Sequence, residues 1–387
     1  MALVNLSRFS DAVTILNLAI EDEPGNVQAW YYSGLALLAL DRLEDAVKAF
    51  DRVLEINRQC ARAWYERGTA LARMGKHLEA VLSYDQALEL DPRDPRTLYH
   101  KGLSLAQRER YDDAIKAFER AITLQPENGP AYYYLGISLA GRERYDEAIR
   151  AFDQALTLDP TNAPAYHFRG IALIQSERYG DAVKTFEQAI ERDSANPQSY
   201  HYLGIAYLQS KQYEMALDAL KTATDMDPSL SDGYMYQGIA LAHLSRHDEA
   251  VVSLDRSLSA NPSLMEALIY RAASLIQLKR FADAIETDDR ILSLNPTLVD
   301  IWMQKGNANV SLGKKPEALV AFTKALEIDQ NLSDGWVKKG HVLYDMGKTQ
   351  DAIVAYTRGL EINPSLRDIW IRKGDALNEL GKTEEAI

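Results

Sequence analysis

The side chains able to do chemistry recur in rows. One row, stepping by 34 residues, holds Tyr31, Tyr65, Tyr99, Tyr133, His167 and His201. The next holds Tyr32, Tyr134, Phe168, Tyr202, Tyr236 and Tyr270, and a third holds Leu35, Leu103, Ile137, Ile171, Ile205 and Ile239. Aromatic and aliphatic sets of this kind anchor protein ligands, because a ring buries much area while a phenol still finds a polar partner. They also serve simply to pack one helix on its neighbour. Two histidine pairs suggest metal binding: His167 with His201, one period apart, and His243 with His247, four residues apart. Neither pattern offers the third and fourth ligands that a metal needs. Cys60, the single cysteine, has no base near it in sequence and reads as structural. There is no glycine-rich phosphate loop, nucleophile elbow or HExxH stretch. Catalysis needs convergent polar groups and a strict repeat distributes them, so the sequence predicts no enzyme, no metal and no cofactor.

An acidic row follows in the C-terminal half: Asp232, Glu266, Asp300, Asp334 and Asp368. These could draw in a basic ligand. Each also stands three residues after a serine, threonine or asparagine, as in Ser229-Leu-Ser-Asp232 and Thr297-Leu-Val-Asp300. That spacing predicts capping boxes at helix starts, which account for the acids without a ligand.

The rows arise from one unit, plainest at Gly129 to Asn162. Tyr132, Leu135, Gly136 and Leu139 mark a first amphipathic helix, A; Tyr145, Ala148, Ile149, Phe152, Ala155 and Leu156 mark a second, B. Gly141 to Arg144 forms the turn between them. Pro160 closes helix B, and Asp94, Asn128 and Asn162 are predicted caps for the helices that follow, with Pro95, Pro130 and Pro164 in their first turns. Gly136 (position 8 of the unit) recurs through the chain with Ala272 as the one exception, and Ala148 (position 20) recurs without exception. Small residues at these positions are expected to let the two backbones approach. One hairpin cannot bury its apolar face alone, so neighbours must stack.

The pattern resembles the tetratricopeptide repeat family. The likeness rests on Trp30, Trp64, Trp302, Trp336 and Trp370 at position 4, the glycine and alanine rows, and large residues such as Phe50, Phe118, Phe152 and Phe322 at position 24. It covers the whole chain. The resemblance implies an all-α, right-handed superhelical α-solenoid whose concave groove is lined by A-helix positions 2, 5, 6, 9, 12 and 13. A peptide or protein partner is then expected on Tyr99, Tyr133, Tyr134, Ile137, His167, Phe168, Ile171, His201, Tyr202, Ile205, Tyr236 and Ile239. At position 7 the chain departs from the family pattern with Arg67, Lys101, Arg169, Arg271, Lys305, Lys339 and Lys373. Their stems are expected to cover apolar surface while their charges reach water. The lysine and asparagine clamp with which some relatives grip acidic tails is missing.

The period divides the chain into a partial repeat at 1–26, ten full repeats opening at 27, 61, 95, 129, 163, 197, 231, 265, 299 and 333, and a truncated one at 367–387. The repeat at 265–298 deviates most. Asp288 stands at the aromatic position 24 and must find a donor or turn to water, and Ile291 enlarges the small position 27, which should push the helices apart. Forty-three basic against 56 acidic residues, net −13, disfavour nucleic acid. No stretch is apolar enough to span a membrane and no signal peptide is evident, so a cytoplasmic location is expected. The chain opens and stops inside a repeat, and it reads as a piece of something longer. Trp370 and Leu377 are expected to form an apolar end capable of end-to-end association. Two functions fit: a non-catalytic scaffold for protein partners, or the recruiting arm of a larger enzyme such as a glycosyltransferase.

Overall fold

The structure, a computed structural model, describes residues 8–386, and the tail of helix A expected at the start of the chain lies outside them. Among the described residues there are 22 α-helices and no strand, and the fold is an all-α helical repeat solenoid. Every B helix has 14 residues, from Phe9–Asp22 and Leu43–Ile56 through Tyr145–Leu158 to Thr349–Ile362. Every A helix opens 34 residues after the last, from Val27–Ala39 to Arg367–Glu379. Past the last A helix, Thr383–Glu385 forms only a 3-10 turn. The chain makes two compact units, Met1–Ala195 and Asn196–Ile387. No helix among the described residues is long and apolar enough to cross a membrane.

Helix A starts in two ways. In the first unit, Asn26, Asn128 and Asn162 accept from the backbone N–H three residues on, at 3.0, 3.1 and 3.0 Å, and Asp94 accepts from Arg96 N–H. Such a cap contributes about 1 kcal/mol. In the second unit the expected capping boxes do not form. The Ser229 hydroxyl donates to Asp227 Oδ1 (2.6 Å), Thr297 to Asn295 (2.7 Å) and Ser365 to Asn363 (2.6 Å). The hydroxyl is therefore spent on an upstream Asx turn. Leu230, Leu298 and Leu366 become the capping residues and make no side-chain bond. The acids at 232, 266, 300, 334 and 368 stay exposed.

The glycine row has a more specific cause than backbone approach. A Cβ on Gly136 would lie 2.6 Å from the Phe152 ring, and one on Gly34 2.7 Å from Phe50. The position-24 ring lies flat on the glycine and is wholly buried, as are Phe50, Phe118, Phe152, Phe186 and Phe322. Full burial of such a ring contributes roughly 2–3 kcal/mol. This explains the exception: where Asp288 replaces the ring, position 8 has room for a methyl, and Ala272 stands there. Asp288 does not turn to water. It is 0% exposed; Gln304 Nε2 donates to its Oδ1 at 2.9 Å, while Oδ2 has no partner. Ile291 is buried too, so two enlarged residues accompany one shrunken one.

The position-7 bases do not simply reach water. Arg67 meets Asp51 at 2.6 Å, Lys101 meets Asp85 at 2.5 Å, Arg169 meets Asp153 at 2.7 Å and Arg271 meets Asp255 at 2.6 Å, each acid 16 residues upstream on the preceding B helix. Arg67 also donates to the Ser83 hydroxyl and Arg169 to the Thr185 hydroxyl, both on the following B helix. Arg67, Arg169 and Arg271, which also donates to the Thr287 hydroxyl, thus staple an A helix to the B helices on both sides of it, while Lys101 holds to the preceding one. The position-4 tryptophans tie the junction below: Trp30 Nε1 donates to the Pro24 carbonyl, and Trp336 Nε1 to that of Gln330.

Candidate functional site

In the first unit the A helices Val27–Ala39, Ala61–Arg73, Pro95–Ala106, Gly129–Ala140 and Ala163–Gln175 bring positions 5 and 6 onto one face. The two positions are about 100° apart around the helix, so they serve different neighbours. The position-5 ring turns to its own B helix: Tyr99 is 6.0 Å from Phe118, Tyr133 is 6.1 Å from Phe152 and His167 is 5.8 Å from Phe186. The position-6 ring turns back to the preceding repeat: Tyr134 is 6.2 Å from Tyr99, and Phe168 is 6.0 Å from Tyr133. Adjacent pairs close the steps, with Tyr133 5.0 Å from Tyr134 and His167 5.5 Å from Phe168. Tyr65, His100, Tyr99, Tyr134, Tyr133, Phe168 and His167 therefore form one unbroken ladder of edge-on rings.

One edge of the ladder is packed and the other meets solvent. Tyr99, Tyr133, Tyr134, Ile137, His167 and Ile171 are half-buried, and Phe168 is 38% exposed. Burial pushes the phenols of Tyr31, Tyr99 and Tyr133 up to about 12. Near neutral pH they are uncharged hydrogen-bond donors on an apolar surface, the combination that suits a peptide backbone.

Known sequences now place the chain. Tetratricopeptide repeat profiles match residues 1–59, 99–163, 169–231, 203–264, 237–299 and 337–387, with others at 61–94 and 299–332. The chain belongs to the tetratricopeptide repeat family. Among solved structures it is similar to YrrB, described as a tetratricopeptide repeat protein with an unusual peptide-binding site: 25% identity over 52% of this chain and 99% of that one, TM-score 0.45. MamA from Desulfovibrio magneticus RS-1 shares 21% identity over 44% of this chain and 96% of its own, TM-score 0.42. Yeast Tom70 shares 14% over 100% and 93%, TM-score 0.40. At these scores the likenesses decide nothing about a partner. No curated protein matches the chain.

The second unit shows how far one tetratricopeptide row differs from repeat to repeat. Tyr202 and Tyr236 are half-buried, but His201, Ile205 and Ile239 are 7%, 8% and 2% exposed. His201 lies 5.7 Å from Tyr236, and burial holds its imidazole below the usual range against the opposing pull of Asp232. A period makes residues equivalent in sequence; local packing makes them unequal in access. His243 does not face His247 as a ligand pair but stacks on Tyr213 at 4.6 Å. Among the described residues, no group of three or more His, Cys, Asp or Glu could hold a metal ion. Cys60 is half-buried at the start of Ala61–Arg73, packed with Val53, Leu54 and Trp64.

Sequence reasoning missed Glu66, the one acid in the position-6 row of the first unit. It is half-buried beside Tyr31 and Tyr65, and burial lifts its carboxyl to about 7 against the pull of Arg96. The signal was present: a carboxylate in a row of rings.

Proposed function

We propose that this chain is a non-catalytic scaffold that binds an extended peptide or helix of a protein partner on the A-helix face of its first unit. The observation that carries the reading is the continuous ladder from Tyr65 to His167, packed on one edge and open on the other. Tetratricopeptide repeat proteins are in general non-catalytic scaffolds, which accords with it. Tyr99, Tyr133, Tyr134, Ile137, His167, Phe168 and Ile171 supply the contact surface. In the second unit the same reading falls on Tyr202 and Tyr236, with His201, Ile205 and Ile239 buried. Few interface residues carry most binding energy, and truncating an aromatic anchor costs about 2 kcal/mol or more. Tyr134→Ala with Phe168→Ala should therefore cut partner capture by roughly 30-fold or more. Arg150→Ala with Lys184→Ala, exposed on B helices, should leave capture unchanged. Equal losses from both pairs would overturn the assignment.

A further inference from the structure

We propose that the cavity walled by Tyr31, Tyr65 and Glu66 is a receptor for a primary ammonium group, such as the lysine side chain of a bound partner segment. The proposal rests on the A-helix face being the partner surface and names one feature of what binds there. The cavity, about 420 Å³, lies where the A helices Val27–Ala39, Ala61–Arg73 and Pro95–Ala106 come together. Arg62, Asp91, Asp94 and Arg96 are the other charged residues of its wall.

Charge bookkeeping inside the cavity singles out Glu66, because Asp91 stands exposed to water and accepts from the Arg93 N–H at 3.2 Å. Asp94 is spent: it pairs with Arg96 at 3.4 Å and accepts from the Thr97 hydroxyl at 2.6 Å. The Arg96 guanidinium in turn lies 5.6 Å from the centre of the Tyr65 ring, so this wall already holds one cation on a phenol face. Glu66 is half-buried and, among the described residues, makes no hydrogen bond or ion pair, feeling only the longer-range pull of Arg96, which is already paired with Asp94. The fold does not require a carboxyl there, because the same position is a ring in Tyr32, Tyr134, Phe168, Tyr202 and Tyr236. A carboxylate withdrawn from water without a partner is unfavourable, and burial has already raised its proton affinity. An incoming ammonium supplies the missing partner through charge-assisted hydrogen bonds, and the phenol rings add their quadrupole attraction. The compact head is preferred to a guanidinium because a single half-buried carboxylate cannot answer the five N–H donors of a planar fork; Arg62 stands exposed on the rim. Arg62 can itself donate to a backbone carbonyl of the same segment.

The test uses the full chain with glutamate carboxyls labelled for carbon NMR. The probes are N-acetyl-lysine methylamide, its Nε-acetylated form, N-acetyl-arginine methylamide and alaninamide. The lysine probe should bind saturably at pH 8 and shift the Glu66 carboxyl. Its affinity should fall roughly 30-fold at pH 5.5, as the carboxyl takes up its proton. Nε-acetylation should abolish binding. Glu66→Gln, which keeps the shape, should abolish it too, with helical circular dichroism unchanged. Alaninamide binding at the same carboxyl would also support an ammonium receptor and would identify a peptide N-terminus as its source. No saturable binding at pH 8, equal binding of the arginine probe, or binding indifferent to Glu66→Gln overturns the proposal. If the unsubstituted chain captures its partner but does not bind the lysine probe, the scaffold stands and only this receptor falls.

Discussion

At the scale of single residues, the glycine under each ring is the sharpest constraint in the molecule. A methyl on Gly136 would sit 2.6 Å from Phe152, whose ring is wholly buried and has nowhere to go. Gly136→Ala should destabilise its repeat by about 1–3 kcal/mol, the usual cost of overpacking a tight contact. Hydrogen exchange along Tyr145–Leu158 measures it, and unchanged protection there would refute the argument. The glycine row was legible as spacing, but its cause was not. Small size suggests two backbones touching, whereas it is a side chain 16 residues away that fills the space. Glu66 and the ion pairs of the bases at position 7 were missed for a related reason. Reading rows by their commonest residue hides the single acid, and reading helices one at a time hides an ion pair that joins two of them and a hydrogen bond that reaches a third.

At the scale of the hairpin, the repeat at 265–298 has exchanged a ring for a buried acid. Burial pushes the Asp288 carboxyl up to about 7; the Gln304 hydrogen bond and Lys305 pull it back, and Asp289 adds to the rise. The folded-state affinity for the proton exceeds that of the unfolded chain, near 3.9. Asp288 therefore stabilises most below about pH 4, and that contribution is lost as pH rises to about 7, by up to roughly 4 kcal/mol. Exchange in Phe281–Leu294 should accelerate over this window more than in Tyr213–Met226, and Asp288→Asn should flatten the difference. An equal pH response in the two helices would contradict the buried charge. Helix positions were legible because period, prolines and asparagine caps agree with one another. The capping boxes were not, because Ser229 and its equivalents had a second acceptor, Asp227 or an asparagine, just upstream.

At the scale of the whole molecule, apolar surface gathers at the C-terminal end. Trp370 is 50% exposed, Ile371 63% and Leu380 42%. Leu377, expected on the same surface, is 3% exposed and packs with Ile353, Ala376 and Ala386 instead. The net charge of −13 opposes self-association, and salt relaxes that opposition. Sedimentation velocity should show association that rises with concentration and salt, and Trp370→Glu with Ile371→Glu should abolish it. A monomer under all these conditions would exclude the end as a contact. The staples at position 7 carry a different lesson, about inheritance. A hairpin copied from its first A residue to its last B residue leaves behind the acid that its own base needs. Where that acid is absent, with Thr323 upstream of Lys339 and Thr357 upstream of Lys373, the ammonium keeps only its place over Trp336 or Trp370, 5.3 Å from each ring centre, a contact that Lys305 makes with Trp302 in addition to its acid. The segment that duplicates without losing its charge balance is a B helix with the A helix after it, half a period out of step with the hairpin. Shortened or spliced arrays cut inside the A–B turn, between Glu143 and Arg144 for instance, keep each acid with its base.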